Sequence, residues 1–231
     1  MKVDIGIIGA MSSEVEIILA GLADKNCESI SGIDFYIGRL GEKTVAVAKC
    51  GVGKVFAATC AQTMIIRYSP KLLINTGVGG AIASGISTGD VVIADSLVQH
   101  DMDTSAIGDP VGLVSGINKI YFEADERAAK ILLSTAEKLG YTARLGRKAT
   151  GDIFVASKED KKRISELFSA SACEMEGGAI AQVAFVNETP FAVIRAISDN
   201  ADGEATMDFP TFLPIAAERS SMLAMALAAE Y

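Results

Sequence analysis

The chain has 231 residues, of which half are hydrophobic and 22% are charged, so it can bury the core of one α/β domain or of two small ones. It carries 29 acidic residues against 21 basic ones, a formal net charge of -8, and no run of five like charges occurs. This balance argues against nucleic acid and anionic membrane surfaces as partners, because both are bound by clustered Lys and Arg.

In chain order, β-rich runs alternate with helical patterns. The predicted strands are residues 3–10, 35–40, 44–51, 71–80, 90–95, 172–176 and 191–198. The predicted helices are residues 13–22, 54–67, 125–140, 158–168, 177–187 and 211–230, with Pro214 expected in the first turn of the last one. Apolar strands separated by helices predict a largely parallel sheet covered on both faces. We expect one domain spanning residues 1–231.

The amino terminus could be mistaken for a signal sequence, but Asp4, Glu14 and Glu16 interrupt its apolar residues. No uninterrupted stretch of about 18 apolar residues occurs, so we expect no membrane span and a cytoplasmic protein. The four cysteines show no CxxC spacing, and His100 is the only histidine. These residue types do not favour a metal site. The sequence leaves the role of His100 open: we expect it to make a structural or interface hydrogen bond and do not include it in the site.

Ligands of parallel α/β sheets bind outside the carboxyl ends of the strands, which directs attention to four stretches. The stretches are "GAMSSE", "NTGVGG", "CEMEGG" and "RAISDNAD". In the first, Ser12 could cap a helix while Glu14 favours its positive end. The glycines of the second permit close approach to a ligand, but they also suit an ordinary turn. Asp199 in the fourth could equally cap the segment that follows.

Two glutamates and one arginine are harder to explain by structure alone. Glu174 and Glu176 lie two residues apart, so on a strand they would point to the same face. Arg195 lies inside an apolar strand, and a buried guanidinium needs a carboxylate partner, which either glutamate would provide. The sequence has neither a GxGxxG dinucleotide fingerprint nor a GxxxxGK[ST] phosphate loop, which disfavours a nucleotide cofactor.

Taken together, six stretches resemble the 5′-methylthioadenosine/S-adenosylhomocysteine nucleosidases of the nucleoside phosphorylase superfamily. The stretches are "IGIIGAMSSEV", "CGVGKV", "LINTGVGGAI", "ATGDIFV", "CEMEGGAIA" and "VIRAISDNAD". The resemblance covers nearly the whole chain and implies a three-layer α/β/α fold with a central mixed, largely parallel sheet. It also implies a homodimer that hydrolyses the N-glycosidic bond of 5′-thioadenosines to adenine and a 5-thioribose, with no metal or organic cofactor.

The resemblance assigns roles to particular residues. Asp199 would protonate N7 of the leaving adenine, and Glu14 would activate the attacking water. Glu176 would accept hydrogen bonds from the ribose hydroxyls. The remaining residues of the predicted substrate site are Val52, Val78, Phe154, Val155, Glu174, Met175, Arg195, Ser198 and Phe209. Among these, Phe154 would stack on adenine, the Val155 backbone would read its edge, Met175 would contact the sugar, and Val52 and Phe209 would line the wall near the thioether.

Two positions depart from the family pattern. Val78 stands where a small hydroxyl residue is common, so any hydrogen bond from that side chain is lost. The loop that usually lends an aromatic residue to the neighbouring subunit reads "SAIGDPVGL", with Ile107 and no aromatic side chain.

Two alternatives stay open at the level of sequence. A phosphorylase of the same fold would attack with phosphate, but the first turn and the glycine turn contain no Arg or Lys, and Glu14 would repel the anion. A non-catalytic nucleoside-binding module would share the pocket but would not need both Glu14 and Asp199.

Overall fold

A computed structural model describes residues 2–200 and 205–231, without the side chains of residues 205–208. The last two residues of the "VIRAISDNAD" motif, Ala201 and Asp202, therefore lie outside the described residues. The strands are β1 (Ile5–Gly9), β2 (Ala23–Ile30), β3 (Ile33–Leu40), β4 (Lys43–Lys49), β5 (Leu72–Ala81), β6 (Val91–Gln99), β7 (Phe122–Glu123), β8 (Ala143–Thr150), β9 (Ala172–Glu174) and β10 (Phe191–Asp199). The helices are α1 (Ser12–Ala20), α2 (Lys54–Tyr68), α3 (Glu126–Lys138), α4 (Lys158–Phe168), α5 (Gly177–Val186) and α6 (Ala205–Glu230).

The sheet is mixed, as the family resemblance implies. Its centre, β4-β1-β5-β10, is parallel throughout, whereas the hairpin of β3 and β4 and the outer strand β2 are antiparallel. Strand β5 pairs with β9 and β10 as well as with β1, so β5, β10, β6, β8 and β9 close into a ring. The ring brings the ends of β5, β9 and β10 together, although these strands are far apart in the sequence.

Two apolar clusters cover the two faces of the sheet and make the fold three-layered. One cluster joins α1, α3 and α6 to side chains such as Ile5 and Ile7 of β1. The other joins α2 and α5 to the opposite face, where Ile8 of the same strand points. Residues of β1 are buried on both sides because successive side chains alternate across a strand. The prediction of a sheet covered on both faces is confirmed.

The final helix differs from the prediction at its start. Helix α6 begins at Ala205 and contains both Pro210 and Pro214, so the expectation that Pro214 lies in the first turn is wrong. Pro214 lacks an N–H group and leaves the carbonyl of Pro210 without its helical donor. The helix nevertheless continues to Glu230, because side chains such as Leu223 and Leu227 are fully buried against the sheet.

Within the described residues, one helical segment, Phe209–Glu230, is long and apolar enough by length and composition to cross a membrane. Of its most apolar window, 44% is buried inside the protein. A core helix that covers a sheet passes the same test of length and composition.

Candidate active site

A cavity of about 190 Å³ opens at the carboxyl ends of β1, β5, β9 and β10. It is lined by Ala10, Met11, Glu14, Val52, Val78, Gly79, Gly80, Ile153, Phe154, Val155, Cys173, Glu174, Met175, Glu176, Ser198, Asp199 and Phe209. Every residue of the predicted substrate site except Arg195 is in this lining. The ends of parallel strands are the usual location of ligand sites in such sheets.

Glu14 is buried at the start of α1, where main-chain N–H groups hold its carboxylate. One oxygen, Oε2, accepts hydrogen bonds from the N–H groups of Ala10 and Met11 at 2.7 and 2.9 Å. The other, Oε1, accepts from the N–H of Val78 on β5 at 3.0 Å. Glycine at position 77 leaves room for this carboxylate, because a Cβ there would lie 2.4 Å from Oε1 and would displace it. Glu14 therefore links the first turn to the glycine turn.

The N-cap of α1 is Met11, and Ser12 is the first residue of the helix. The interpretation of Ser12 as the helix cap is therefore wrong. Glu14 takes over part of that role, since its side chain accepts from the backbone N–H of Met11. This capping role and a place in the cavity lining are combined in one side chain.

A β-bulge places the end of β10 against the cavity. The register against β5 shifts between Ile197 and Asp199, so Asp199 pairs with Gly80. Ser198 donates a hydrogen bond from Oγ to Asp199 Oδ1 at 3.0 Å. A Cβ at Gly80 would lie 2.7 Å from Asp199 Oδ2, so the glycine lets the carboxylate approach the main chain closely. Bulges beside functional sites commonly redirect a side chain in this way.

Glu174 is bound tightly by a buried cation. Arg195 donates from Nη2 to Glu174 Oε2, and Thr150 donates from Oγ1 to the other carboxylate oxygen. The N–H groups of Gly177 and Glu176 add bonds of 2.6 and 3.1 Å to Oε2. Burial alone would raise the pKa of Glu174, but Arg195 and these donors hold it below its ordinary value.

Arg195 lies behind the cavity wall and not in its lining. It is completely buried, and it donates to the side chain of Asn75 at 2.6 Å as well as to Glu174. Burial by itself would lower the pKa of the Arg195 guanidinium, yet the charges of Glu174 and Glu176 raise it. Arg195 thus contacts the glutamates and not the space of the cavity.

The carboxylate of Glu176 also lies close to the Arg195 guanidinium. Strand β9 ends at Glu174 and Glu176 caps α5, so the two side chains do not share one face of a strand as the sequence suggested. Glu176 Oε2 lies 3.6 Å from Arg195 Nη2, while Oε1 accepts from the N–H of Gly53 at 2.9 Å. Burial and then the nearby charge of Glu174 raise the pKa of Glu176 to about 7.

Two aromatic rings form the partly open side of the cavity. Phe154 and Phe209 meet edge to face, with ring centroids 5.7 Å apart and an interplanar angle of 86°. Phe154 is 46% exposed, and Val52 beside it in the lining is 50% exposed. This apolar side faces the polar side formed by the carboxylates and Ser198.

The lining also contains residues that sequence reasoning missed, namely Ala10, Met11, Gly79, Gly80, Ile153 and Cys173. Each lies inside or next to a stretch quoted above, and strand ends would have indicated them.

Lys161 on α4 does not line the cavity but contacts a residue that does. It is 3% exposed, and its Nζ lies 3.4 Å from Asp199 Oδ2. The run "SKEDKKRI" is mostly charged, and the one signal that separates this lysine from its neighbours is its place three residues before Ile164.

Two further buried bases lie outside the cavity lining. His100 is 2% exposed, and neither ring nitrogen has a hydrogen-bond partner within the part of the chain that the structure describes. Burial lowers the pKa of His100. Lys148 on β8 is fully buried and donates to the carbonyl of Val92, and burial followed by the charge of Arg195 lowers its pKa.

None of the lining residues, all of them described, is Lys, Arg or His. Nor does any group of three or more His, Cys, Asp or Glu side chains among residues 2–200 and 205–231 have an arrangement that would hold a metal ion. Chemically, the cavity offers the buried carboxylates of Glu14, Glu174, Glu176 and Asp199, the hydroxyl of Ser198 and an apolar aromatic side. Such an arrangement suits a neutral ligand with hydroxyl groups, a planar ring and sites for proton transfer.

A family model described as the phosphorylase superfamily matches residues 4–229. Curated relatives show which family of this superfamily the chain resembles. The 5′-methylthioadenosine/S-adenosylhomocysteine nucleosidase of Glaesserella parasuis is 39% identical over 224 residues, which is 96% of this chain and 97% of the relative. The enzyme of the same name from Staphylococcus haemolyticus is also 39% identical, over 96% of this chain and 98% of the relative. The chain therefore belongs to the phosphorylase superfamily and, within it, to the 5′-methylthioadenosine/S-adenosylhomocysteine nucleosidase family.

Solved structures agree over the full fold. The nucleosidase of Neisseria meningitidis in complex with methylthio-immucillin-A superposes with a TM-score of 0.95 at 33% identity, covering 99% of each chain. A Helicobacter pylori protein described as futalosine hydrolase superposes with a TM-score of 0.94 at 34% identity, covering 99% of this chain and 98% of that one. The predicted fold class is confirmed by these neighbours.

Proposed function

We propose that this protein hydrolyses the N-glycosidic bond of 5′-thioadenosines, such as 5′-methylthioadenosine and S-adenosylhomocysteine, to adenine and the free 5-thioribose. The observation that carries the proposal is the shared cavity of Glu14 and Asp199, two buried carboxylates that lie in the first turn of α1 and at the end of β10. The names of the curated relatives support the same reaction class.

Asp199 is the general acid. As the bond between C1′ and N9 breaks, its electron pair moves to the purine, which is a poor leaving group as an anion. Proton transfer from the Asp199 carboxyl to N7 neutralises that charge and lowers the barrier. The bulge at the end of β10 and the hydrogen bond from Ser198 fix the direction of this carboxyl group.

Glu14 is the base that holds and deprotonates the attacking water. Its three N–H donors fix both oxygens: Oε2 accepts two hydrogen bonds, whereas Oε1 accepts one and keeps capacity for a second, from water. The water forms the new bond to C1′ and gives its proton to Glu14. A negative charge at this position also stabilises the cationic sugar of an oxocarbenium-like transition state.

The remaining residues bind the substrate. Glu176 accepts from the ribose hydroxyls, and Met175 packs on the sugar. Phe154 stacks on adenine while the Val155 backbone reads its edge. The following residues complete the proposed site: Val52 and Phe209 near the thioether, Val78 and Ser198 in the lining, Glu174 as a support, and Arg195 as the cation that fixes Glu174.

Hydrolysis is favoured over phosphorolysis by the position of Glu14. The first turn and the glycine turn present the main-chain N–H groups that would suit a bound anion. Glu14 already accepts from three of them, and its charge would repel phosphate. The cavity lining contains no basic side chain that would offset that repulsion.

We further propose that the protein is a homodimer of single-domain chains that acts in the cytoplasm. Val55, Phe56 and Ile107 are 77%, 56% and 82% exposed, which is unusual for large apolar side chains. Lys54, which precedes Val55, bonds through Nζ to Asp101, six residues before Ile107. Sedimentation velocity at micromolar concentration should give twice the chain mass, and a monomer would contradict the dimer.

One assay tests the proposed reaction. The protein is incubated with 5′-methylthioadenosine, with and without phosphate, and adenine and the sugar product are quantified. We expect free methylthioribose at the same rate in both conditions. A phosphate requirement with a sugar 1-phosphate product would indicate a phosphorylase, and the absence of adenine would indicate a binding module. Because a structural neighbour is described as futalosine hydrolase, the panel should also include a 5′-substituent without sulfur.

The Asp199→Asn variant tests the assignment of the acid. The expected result is a fall in kcat of about 10²–10⁴-fold with retained binding of a non-hydrolysable adenosine analogue, because the amide keeps the shape but has no acidic proton. Ser87→Ala, a change at a position away from the cavity lining, serves as the control. A near-normal kcat for Asp199→Asn would remove Asp199 as the acid.

A further inference from the structure

We propose that Lys161 is a positioning residue for the reaction, whose ammonium group holds the Asp199 carboxyl group and stabilises the negative charge left on it when it gives up its proton. This inference rests on the proposed function, and it assigns the counter-ion of the acid. Lys161 does not line the cavity, so it acts through Asp199 and not on the substrate.

The geometry of α4 directs this lysine inward. Lys161, Ile164 and Phe168 are the buried residues of the helix, at the spacing of one helical face. The neighbouring Lys162 has a side chain that is 76% exposed. A lysine on the apolar stripe of an otherwise charged helix is unusual, because burying an ammonium group is costly without a partner.

The partners of Lys161 come from the end of β10. Its Nζ lies 3.4 Å from Asp199 Oδ2, and both side chains are 3% exposed. The same Nζ donates a hydrogen bond to the carbonyl of Asn200. Lys161 is thus tied both to the carboxyl group and to the main chain that follows it, which fixes Oδ2 while Ser198 holds Oδ1.

A third titratable group lies against this pair and contributes no charge. The thiol of Cys173 on β9 is close to Gly80, as is Asp199 Oδ2. Burial raises the pKa of Cys173 to about 12, so the thiol stays neutral in the working range. Cys173 therefore adds no charge beside Asp199, whose carboxylate has Lys161 as an ion-pair partner.

The chemistry gives Lys161 a role that changes during the reaction. Before proton transfer Asp199 is a neutral acid, and afterwards it is a buried carboxylate next to an ammonium group. The proton passes from Asp199 to N7 of the purine, and Lys161 transfers none. An interaction that strengthens as charge develops lowers the barrier without tightening substrate binding.

The test compares Lys161→Met and Lys161→Gln, which remove the charge, with Lys161→Arg, which keeps it. We expect the neutral variants to lower kcat about 10- to 100-fold at pH 7 with KM changed less than twofold, and we expect the arginine variant to recover most of kcat. We also expect the alkaline fall of kcat to move upward by about 1–3 pH units in the neutral variants, because the protonated acid persists to higher pH without the cation. Lys162→Met is the matched control.

Several results would overturn the proposal. Normal kcat in both neutral variants would do so, as would an equal loss in all three variants with an unchanged pH profile, which a structural role would give. If Lys161→Met fails to fold, Lys161→Gln decides the matter, since its amide can still donate to the Asn200 carbonyl. Inactive wild-type protein would instead contradict the proposed function itself, so the two failures are distinguishable.

Discussion

Glu14, in the first turn after β1, and Glu174, at the end of β9, are both buried carboxylates that accept main-chain N–H groups near a helix start, but their charges are compensated differently. Glu14 accepts hydrogen bonds from main-chain N–H groups, and it forms no ion pair within the part of the chain that the structure describes. Glu174 bonds to a buried guanidinium and to Thr150. The Glu14 carboxylate accepts from three donors in these bonds, whereas the Glu174 carboxylate accepts from four, one of them a buried guanidinium, and is committed to structure. The comparison explains why the base of the proposed reaction is Glu14.

The largest expected effect is that of removing the base. Glu14→Gln keeps the size of the side chain but cannot take a proton from water, so we expect kcat to fall about 10²–10⁴-fold. The exposed Glu16→Gln on the same helix is the control. Steady-state kinetics with 5′-methylthioadenosine measures both. If Glu14→Gln keeps more than a tenth of wild-type kcat, Glu14 is not the base, and the proposed difference in role between Glu14 and Glu174 is wrong.

The second prediction concerns stability. Arg195→Met removes the cation but leaves Glu174 and Glu176 buried, so we expect the free energy of unfolding to fall by about 3–5 kcal/mol. Arg39→Met is the matched control, because Arg39 pairs with Asp24 on the surface, where both side chains are at least half exposed. For that exposed pair the expected loss is about 0–1 kcal/mol. Urea unfolding followed by circular dichroism measures the difference, and equal losses would contradict the structural role of the Arg195 cluster.

The sequence predicted the central elements because their signals are local. Buried strands such as β1 and β10 are continuous apolar runs, and α4 begins and ends where the pattern indicated. Strand β2 was missed, since it is polar, mostly exposed and paired only with β3 at the edge of the sheet. Its formation depends on that partner and not on its own residues.

The candidate site was predictable in its residues but not in its contacts. Strand ends and the family resemblance indicated Glu14, Glu176 and Asp199. The pairing of Asp199 with Lys161 joins residues 38 positions apart through the ring of strands, which no local pattern encodes. A signal did exist, because Lys161 lies three residues before Ile164 on the buried face of α4. A lysine on an apolar stripe predicts a buried partner without identifying it.

The smallest expected effects belong to Glu176, the carboxylate between the two extremes. Its Oε1 accepts from the main-chain N–H of Gly53, as the Glu14 carboxylate accepts from main-chain N–H groups. Its Oε2 lies 3.6 Å from Arg195 Nη2, the cation that also pairs with Glu174. Glu176→Gln should weaken binding of a riboside inhibitor by about 1.5–3 kcal/mol, because hydrogen bonds to the charged carboxylate are lost, while binding of free adenine should change little. Isothermal titration calorimetry measures both. Equal losses for both ligands would show that Glu176 supports the fold and does not contact the sugar.

The pH dependence of stability gives an independent measurement of the same group. Burial, followed by the charge of Glu174, raises the pKa of Glu176 from 4.5 to about 7, so between these values the folded state binds more protons than the unfolded state. Its stabilising contribution is therefore fully present below about pH 4.5 and is lost as the pH rises through about 7. Relative to wild type, Glu176→Gln should remove a decline of about 1–3 kcal/mol in the free energy of unfolding between pH 5 and pH 8. Parallel curves for the two proteins would mean that Arg195 keeps Glu176 ionised and that both glutamates belong to one ion-paired cluster.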